Sequence, residues 1–343
     1  MLQKKNIFVL IGGRSSEFEI SLISGREVIR NINKSRYNIF PIVISKDGKR
    51  WQLTSSNALY EITDPLKYKG TTKEINLSQK KIFTDIKNIP QKPDIVFIVM
   101  HGSFGEDGTV QGMLELAGLK YTGSGVLSSA LGMNKLMFKK IMIQDNIPVP
   151  RFTIISSNEP LSNVKNVIGN PPYFVKPNNQ GSSIGTSIVH NIRNLKKSLN
   201  LAWRYSKYAL VEEYIKGKEL TCSVLGNENP TALPIIEIIP TKSDYFDYNS
   251  KYSESGSEEI VPAHISKKLT IKIQKISLKV FKSIGCRGFA RVDIMLRNNT
   301  DPVVLEINTI PGLTPMSLFP KAARSAGISY PELIDKIIKY ANE

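Results

Sequence analysis

Asp293, Glu306 and Asn308 have the types and the spacing of a magnesium site near the C-terminal end of the chain. Asp293 follows Arg291-Val292, while Glu306 and Asn308 lie within Pro302-Val-Val-Leu-Glu306-Ile-Asn308-Thr-Ile-Pro-Gly312. In a strand, alternation about Ile307 puts Glu306 and Asn308 on one face. A hard dication prefers oxygen donors and keeps room for water and phosphate oxygens, so two carboxylates and an amide suit Mg²⁺ better than histidines do. The competing reading is a surface turn with solvated carboxylates. The apolar run Val303-Val-Leu305 argues against it, because an acid that interrupts a buried strand is costly unless paired or metal-bound.

The elements that must hold these groups follow from the hydrophobic pattern. Asn6 to Ile11 is a continuous apolar strand running into Gly12-Gly13-Arg14-Ser15-Ser16, and a helix follows from about Glu19 to Asn31, as at the start of an open α/β sheet. A second strand covers 37–45, with Asp47-Gly48 turning it into Lys49-Arg50-Trp51. Residues 54–92 are polar and irregular. The strand 94–100 ends in His101-Gly-Ser-Phe-Gly105-Glu106-Asp107-Gly108-Thr109, and loops at the carboxyl ends of parallel strands are where α/β proteins keep their ligands.

A second unit begins near Thr122, with one helix over 128–144 carrying Lys135 and a breaker at Ile147-Pro148-Val-Pro150. An isolated helix lysine is ordinarily solvated. Strands 173–177 and 187–189 read as a hairpin whose tip, Gly181-Ser182-Ser183-Ile-Gly185, has small residues whose amides and hydroxyls are able to close over phosphates. It is not a Walker A loop, since Lys176 precedes the glycines, and an ordinary hairpin turn is the alternative. A strand over 209–215 completes this unit. The third holds strands around 220–225 and 235–239, a polar stretch 241–259, a helix 267–284, the two metal strands and closing helices. The expected domains are therefore 1–122, 123–215 and 216–343.

At 343 residues the chain exceeds one ordinary core. Its 41% hydrophobic and 22% charged residues describe a soluble globular protein, and no apolar run approaches the roughly 20 residues of a membrane span, so a cytoplasmic location is expected. Cys222 and Cys286 stand far apart and read as small buried residues. The formal charge of +16 raises the possibility of a nucleic-acid partner. Lys267, Lys268, Lys272, Lys275, Lys279 and Lys282 follow helical spacing without aromatic interleaving, which describes a solvated helix face, and no nucleic-acid partner is expected. Such a field would also favour anionic nucleotides.

Taken together the pieces resemble the ATP-grasp ligases, and within them the D-alanine:D-alanine ligase family, over essentially the whole chain. The carrying motifs are Gly12 to Glu17, His101 to Gly112, Lys176 with Gly181 to Gly185, Glu212 to Glu219, Asp247-Tyr-Asn-Ser-Lys251-Tyr252, Arg291 to Asp293, and Glu306 to Gly312. The resemblance implies an α/β (α+β overall) three-domain fold with an N-terminal Rossmann-like parallel sheet. It implies that ATP phosphorylates one D-alanine to an acyl phosphate, which a second D-alanine attacks to give D-alanyl-D-alanine, for peptidoglycan precursors.

By the same resemblance, Lys135 and Lys176 meet the α- and β-phosphates, and Ser182 and Ser183 cap the β- and γ-phosphates. Glu212, Glu213 and the backbone through Ile215 form the adenine hinge, with Glu219 on the ribose. Lys251 follows the γ-phosphoryl group, and Asp293, Glu306 and Asn308 hold Mg²⁺, with two ions expected and Mn²⁺ able to substitute. Glu17 holds the first D-alanine's ammonium and His101 lies near its carboxylate. Arg291 and the Gly312 amide stabilise the oxyanion, and Ser317 and Leu318 meet the second D-alanine. Ser182 and Tyr252 link Glu17 to a closing loop. A homodimer is implied. The alternative is a related ligase with D-lactate or D-serine as acceptor, against which Tyr252 speaks. Phe18, Asn134 and Glu213 depart from residue types common in that family.

Overall fold

The structure, a computed structural model, describes residues 3–53, 92–241 and 256–343, with the backbone alone at Gln52. The first sheet contains β1 (Lys5–Gly12), β2 (Tyr37–Ile44), β3 (Trp51–Leu53) and β4 (Ile95–Ile98) in the order β3-β2-β1-β4. β1 is parallel to both β2 and β4, and β3 is an antiparallel edge. Ile7, Val9 and Ile11 have no exposed surface, and Phe8 and Leu10 are also buried, as expected of a strand covered on both faces. Helix α1 (Phe18–Asn31) covers one side of the sheet. At Gly12 the chain leaves β1 with φ +83°, and a Cβ there would stand 2.4 Å from the Ile44 carbonyl oxygen, so only glycine allows this exit.

After α2 (Thr109–Leu116), the expected single helix over 128–144 is in fact two, α3 (Val126–Met133) and α4 (Lys135–Gln144). Asn134 breaks it with an extended ψ of 94°, and its side chain accepts a hydrogen bond from the Met137 amide at 3.1 Å as the N-cap of α4. The apolar periodicity continues through the break, which is why a pattern reading misses it.

The second sheet is wholly antiparallel, with β5 (Phe152–Ile155), β6 (Tyr173–Pro177), β7 (Ser187–Val189) and β8 (Ala209–Glu213) in the order β5-β8-β6-β7. α5 (Ser162–Ile168) and α6 (Leu195–Ala202) bury Val164, Ile168, Leu195 and Leu199 against it. The third sheet comprises β9 (Gly217–Leu225), β10 (Thr231–Ala232), β11 (Ile236–Pro240), β12 (Ser257–Ile260), β13 (Phe289–Arg297) and β14 (Asp301–Asn308). Its order is β12-β11-β9-β13-β14, with β10 beside β9. α7 (Lys267–Ser283) packs Ile273, Val280 and Phe281 onto this sheet while its lysines face outward.

Of the two closing helices, the last packs against β4 and α1, and the one before it packs against β9 of the third sheet. α8 (Leu318–Ser325) and α9 (Tyr330–Asn342) share one core with β1, β2 and β4. Leu333, Ile334, Ile337 and Ile338 form the buried stripe of α9. The helix starts where the Glu332 carboxylate accepts from the Ser329 amide at 2.8 Å.

Cys222 and Cys286 are buried, and burial pushes both thiols up to about 12. The thiolate is the reactive form. Native protein is therefore expected to release no measurable chromophore from a thiol reagent at pH 8, whereas denatured protein releases two equivalents. Rapid reaction of either cysteine in the native state would contradict this packing.

Candidate active site

Two cavities meet at Lys135 and Glu306, which line both. The smaller, about 380 Å³, lies between the second and third sheets. It takes Lys176 from β6, Ser183 from the β6–β7 tip, Glu212 and Glu213 from β8, Ile215 and Glu219 beyond them, and Asp293 from β13. The larger, about 690 Å³, lies between the first-sheet loops and the end of β14. Glu17, His101, Ser182, Arg291, Asn308, Gly312, Ser317 and Leu318 all border it. Every site residue expected from sequence within the described residues thus faces one cavity or both. Lys251 and Tyr252 lie outside the described residues.

Burial of cations dominates the smaller cavity. Lys135 is only 6% exposed, contrary to the usual solvated helix lysine. As the first residue of α4 it is fixed by its amide donating to the Asn178 carbonyl at 3.1 Å, while its ammonium donates to the Gln180 carbonyl at 2.6 Å and stands 3.4 Å from Glu306. Lys176 and Lys139 flank the buried Glu212, at 3.0 and 2.7 Å from its two carboxylate oxygens. Burial would lower the Lys176 pKa, but the Glu212, Glu306 and Asp293 carboxylates hold it above the ordinary lysine value. Burial would likewise raise Glu212, and the two ammoniums bring it below the ordinary range. The Glu212 carboxylate is therefore engaged with lysines, and residues 213–215 beyond it line the same cavity.

Glu213 departs from the expected pattern for a reason that sequence does not display. Its carboxylate accepts from the Arg151 amide at 3.0 Å and is paired with the Arg151 and Arg297 guanidiniums at 3.1 and 2.6 Å. Those partners are remote in sequence, and together they neutralise the acid at the end of β8.

β13 and β14 carry the oxygen donors. Asp293 and Glu306 are direct cross-strand partners, and Asn308 pairs with Arg291 two residues along. The Arg291 guanidinium grips Asp293 with two hydrogen bonds of 2.8 Å, and the Thr221 hydroxyl donates to the same carboxylate at 2.7 Å. Among the described residues no cluster of three His, Cys, Asp or Glu side chains forms a metal cage. Two carboxylates and an amide, opening onto cavities lined by cations, nevertheless fit a magnesium ion whose remaining ligands come from phosphate and water.

In the larger cavity, Glu17 sits just ahead of α1 and is 7% exposed. The Ser182 hydroxyl donates to its carboxylate, drawing the β6–β7 tip across the cavity. Ser182 and Ser183 both adopt left-handed conformations, with φ of 51° and 55°, uncommon for non-glycine residues. His101 is anchored at both ring nitrogens, Nδ1 at 3.1 Å from the Ile310 carbonyl and Nε2 at 3.2 Å from the Ser24 hydroxyl. Glu106 lies 3.7 Å from Nδ1. Burial alone would lower the His101 pKa, but Glu106 and Glu17 raise it. Burial and the nearby Glu17 in turn push Glu106 above the carboxylate range. Ser317 accepts at its hydroxyl from the Thr314 amide at 3.2 Å, and a Cβ at Gly312 would stand 2.8 Å from that hydroxyl.

Sequence reasoning missed Lys139 and gave Glu106 no role. A signal existed for Lys139, since residues 135, 138, 139 and 142 are the buried face of α4 and a lysine interrupts that stripe beside Phe138 and Met142.

Models of the D-ala D-ala ligase N-terminus and C-terminus match residues 6–124 and 141–339. The chain is 40% identical to a D-alanine–D-alanine ligase of Pelotomaculum thermopropionicum, over 98% of its own length and 96% of the relative's. A crystal structure of the VanG D-Ala:D-Ser ligase from Enterococcus faecalis superposes with a TM-score of 0.85 at 32% identity, covering 99% of this chain and 100% of that one. The D-alanine–D-alanine ligase of Bacillus anthracis complexed with ATP gives a TM-score of 0.76 at 33% identity, covering 99% and 97%.

Proposed function

Because the chain belongs to the D-alanine–D-alanine ligase family, we infer that it joins two D-alanines into D-alanyl-D-alanine, cleaving ATP to ADP and phosphate, as a step toward peptidoglycan. The observation that carries this reading is the pair of cavities joined at Lys135 and Glu306, one lined by the buried Lys135 and Lys176 and the other by Glu17 and Arg291.

In this reading the triphosphate lies in the smaller cavity against Lys135 and Lys176, with Ser182 and Ser183 over its end, the hinge to Ile215 on adenine and Glu219 on the ribose. Glu17 holds the first D-alanine's ammonium, and His101, whose pKa burial lowers but Glu106 and Glu17 raise overall, lies near its carboxylate. A carboxylate oxygen of that D-alanine attacks the γ-phosphorus and ADP departs. The neutral amine of the second D-alanine, seated by Ser317 and Leu318, then attacks the acyl carbon. Arg291 and the Gly312 amide stabilise the resulting oxyanion. Collapse expels phosphate with the oxygen that made the attack. Asp293, Glu306 and Asn308 would hold Mg²⁺, which when bound neutralises phosphate charge and orients the triphosphate. Lys251 is proposed to follow the γ-phosphoryl group, and Tyr252 to join the Ser182–Glu17 link.

Carboxylate-¹⁸O-labelled D-alanine tests the acyl-phosphate route. Label is expected in the released phosphate, and phosphate free of label would overturn it. D-serine is a second acceptor to consider because of the structural likeness to the D-Ala:D-Ser ligase.

We propose three units, 1–122, 123–215 and 216–343, with the reaction at their junction. We further propose a cytoplasmic homodimer; among the described residues no helix is long and apolar enough to cross a membrane. The tip around Gly181 to Gly185 acts as a lid. Limited proteolysis is expected to cut near it in free protein, and ATP with D-alanine to protect it. Cleavage unaffected by these ligands would contradict the lid.

A further inference from the structure

Lys139 is completely buried and does not line the nucleotide cavity, yet it carries a charge. Buried ion pairs are weak contributors to stability, and apolar residues of similar volume commonly replace them without loss. A buried lysine behind a binding site therefore invites a functional reason. Its ammonium is 2.7 Å from one oxygen of Glu212 and donates to the Leu305 carbonyl at 3.3 Å. The other Glu212 oxygen takes Lys176, which does line the cavity.

Charge counting shows the consequence. Two ammoniums share one carboxylate, so the trio carries one net positive charge in a setting where solvent screens little. Nearby carboxylates already have partners in Arg291 for Asp293 and Lys135 for Glu306. Without Lys139, Glu212 would turn wholly to Lys176 and the trio would become neutral. The Leu305 contact adds a second link. Cross-strand register shifts between the pairs Asp293–Glu306 and Ile294–Val304, leaving Leu305 as the extra residue of a bulge directly before Glu306. Lys139 thus bridges β8 and β14, on opposite sides of the cavity.

We propose that Lys139 is a positioning residue for phosphate binding, holding Glu212 so that Lys176 keeps its positive charge available to the nucleotide. The proposal rests on the reading that Lys176 meets phosphate. Burial pushes the Lys139 pKa down to about 8 against the pull of Glu212, while Lys176 is held above its ordinary value, in keeping with Lys176 as the dependable cation.

The test is calorimetric titration with ADP in Mg²⁺ buffer of wild type, Lys139→Met, Glu212→Gln, their double variant and Lys176→Met, with thermal unfolding of each followed in parallel. Lys139→Met is expected to weaken ADP at least tenfold. Adding Glu212→Gln removes the carboxylate that would neutralise Lys176 and restores one net charge, so the double variant is expected to bind within about threefold of wild type, a coupling opposite to additivity. A purely packing role gives no such rescue. Wild-type affinity in Lys139→Met, or a double variant that binds no more tightly than Lys139→Met, would overturn the proposal. If Lys139→Met does not fold, the double variant decides by itself, and a tenfold loss there is the contrary result. Lys176→Met separates the underlying reading, since unchanged affinity in that variant removes Lys176 from the phosphate site whatever Lys139 does.

Discussion

Turnover is expected to fall by about a hundred- to a thousandfold when Arg291 is replaced by methionine, the usual loss for one oxyanion donor, or roughly 2.7–4 kcal/mol in the barrier. The guanidinium borders the larger cavity beside Gly312, held in one orientation by its two 2.8 Å bonds to Asp293. That orientation is prepared before the reaction, so no reorganisation is needed as charge develops. Arg291→Lys is expected to fail nearly as badly, because an ammonium cannot reproduce the planar fork that meets Asp293. The loss should appear in kcat more than in the KM for D-alanine, since the oxyanion exists only past the ground state. Steady-state kinetics of both variants provide the check, and a kcat within threefold of wild type in Arg291→Met would remove the arginine from this role.

Glu306→Gln and Asp293→Asn are each expected to lower turnover more than tenfold, equivalent to more than about 1.4 kcal/mol in the barrier. Each change keeps the shape of the side chain and removes one negative charge from the cross-strand pair. Metal affinity then falls and the phosphates are left less well neutralised. Glu306 has 28% of its side chain exposed and Asp293 13%, so the fold should survive both changes. The Mg²⁺ concentration giving half-maximal activity should rise in both variants. Near wild-type activity at saturating Mg²⁺ would rule out this assignment of the metal site.

Much of the site was legible because its chemistry depends on local patterns. The apolar run of β1, the small-residue tip after Lys176 and the alternation around Ile307 can each be read within a few residues, and each forms the element expected of it. What escaped depends on contacts between distant segments. Asn134 interrupts a helix whose hydrophobic period runs on, and its departure from the family's usual residue type coincides with an N-cap. Glu213 is answered by Arg151 and Arg297, and nothing within a short window announces such partners. The last helix returns to the first sheet because the stripe on α9 fits β4 and α1, a choice of partner that periodicity cannot specify. Lys139 was visible as an oddity in an apolar stripe, but its meaning required Glu212 and the Leu305 bulge.

The most direct test of the central claim is a coupled assay of ADP release with dipeptide quantified in parallel, run separately with D-alanine, L-alanine, D-serine and D-lactate and with D-alanine paired with each of the others. D-alanine alone is expected to give one D-alanyl-D-alanine per ADP, with no dipeptide from L-alanine. ADP release that ignores D-alanine, or that proceeds without D-alanyl-D-alanine, would contradict the account.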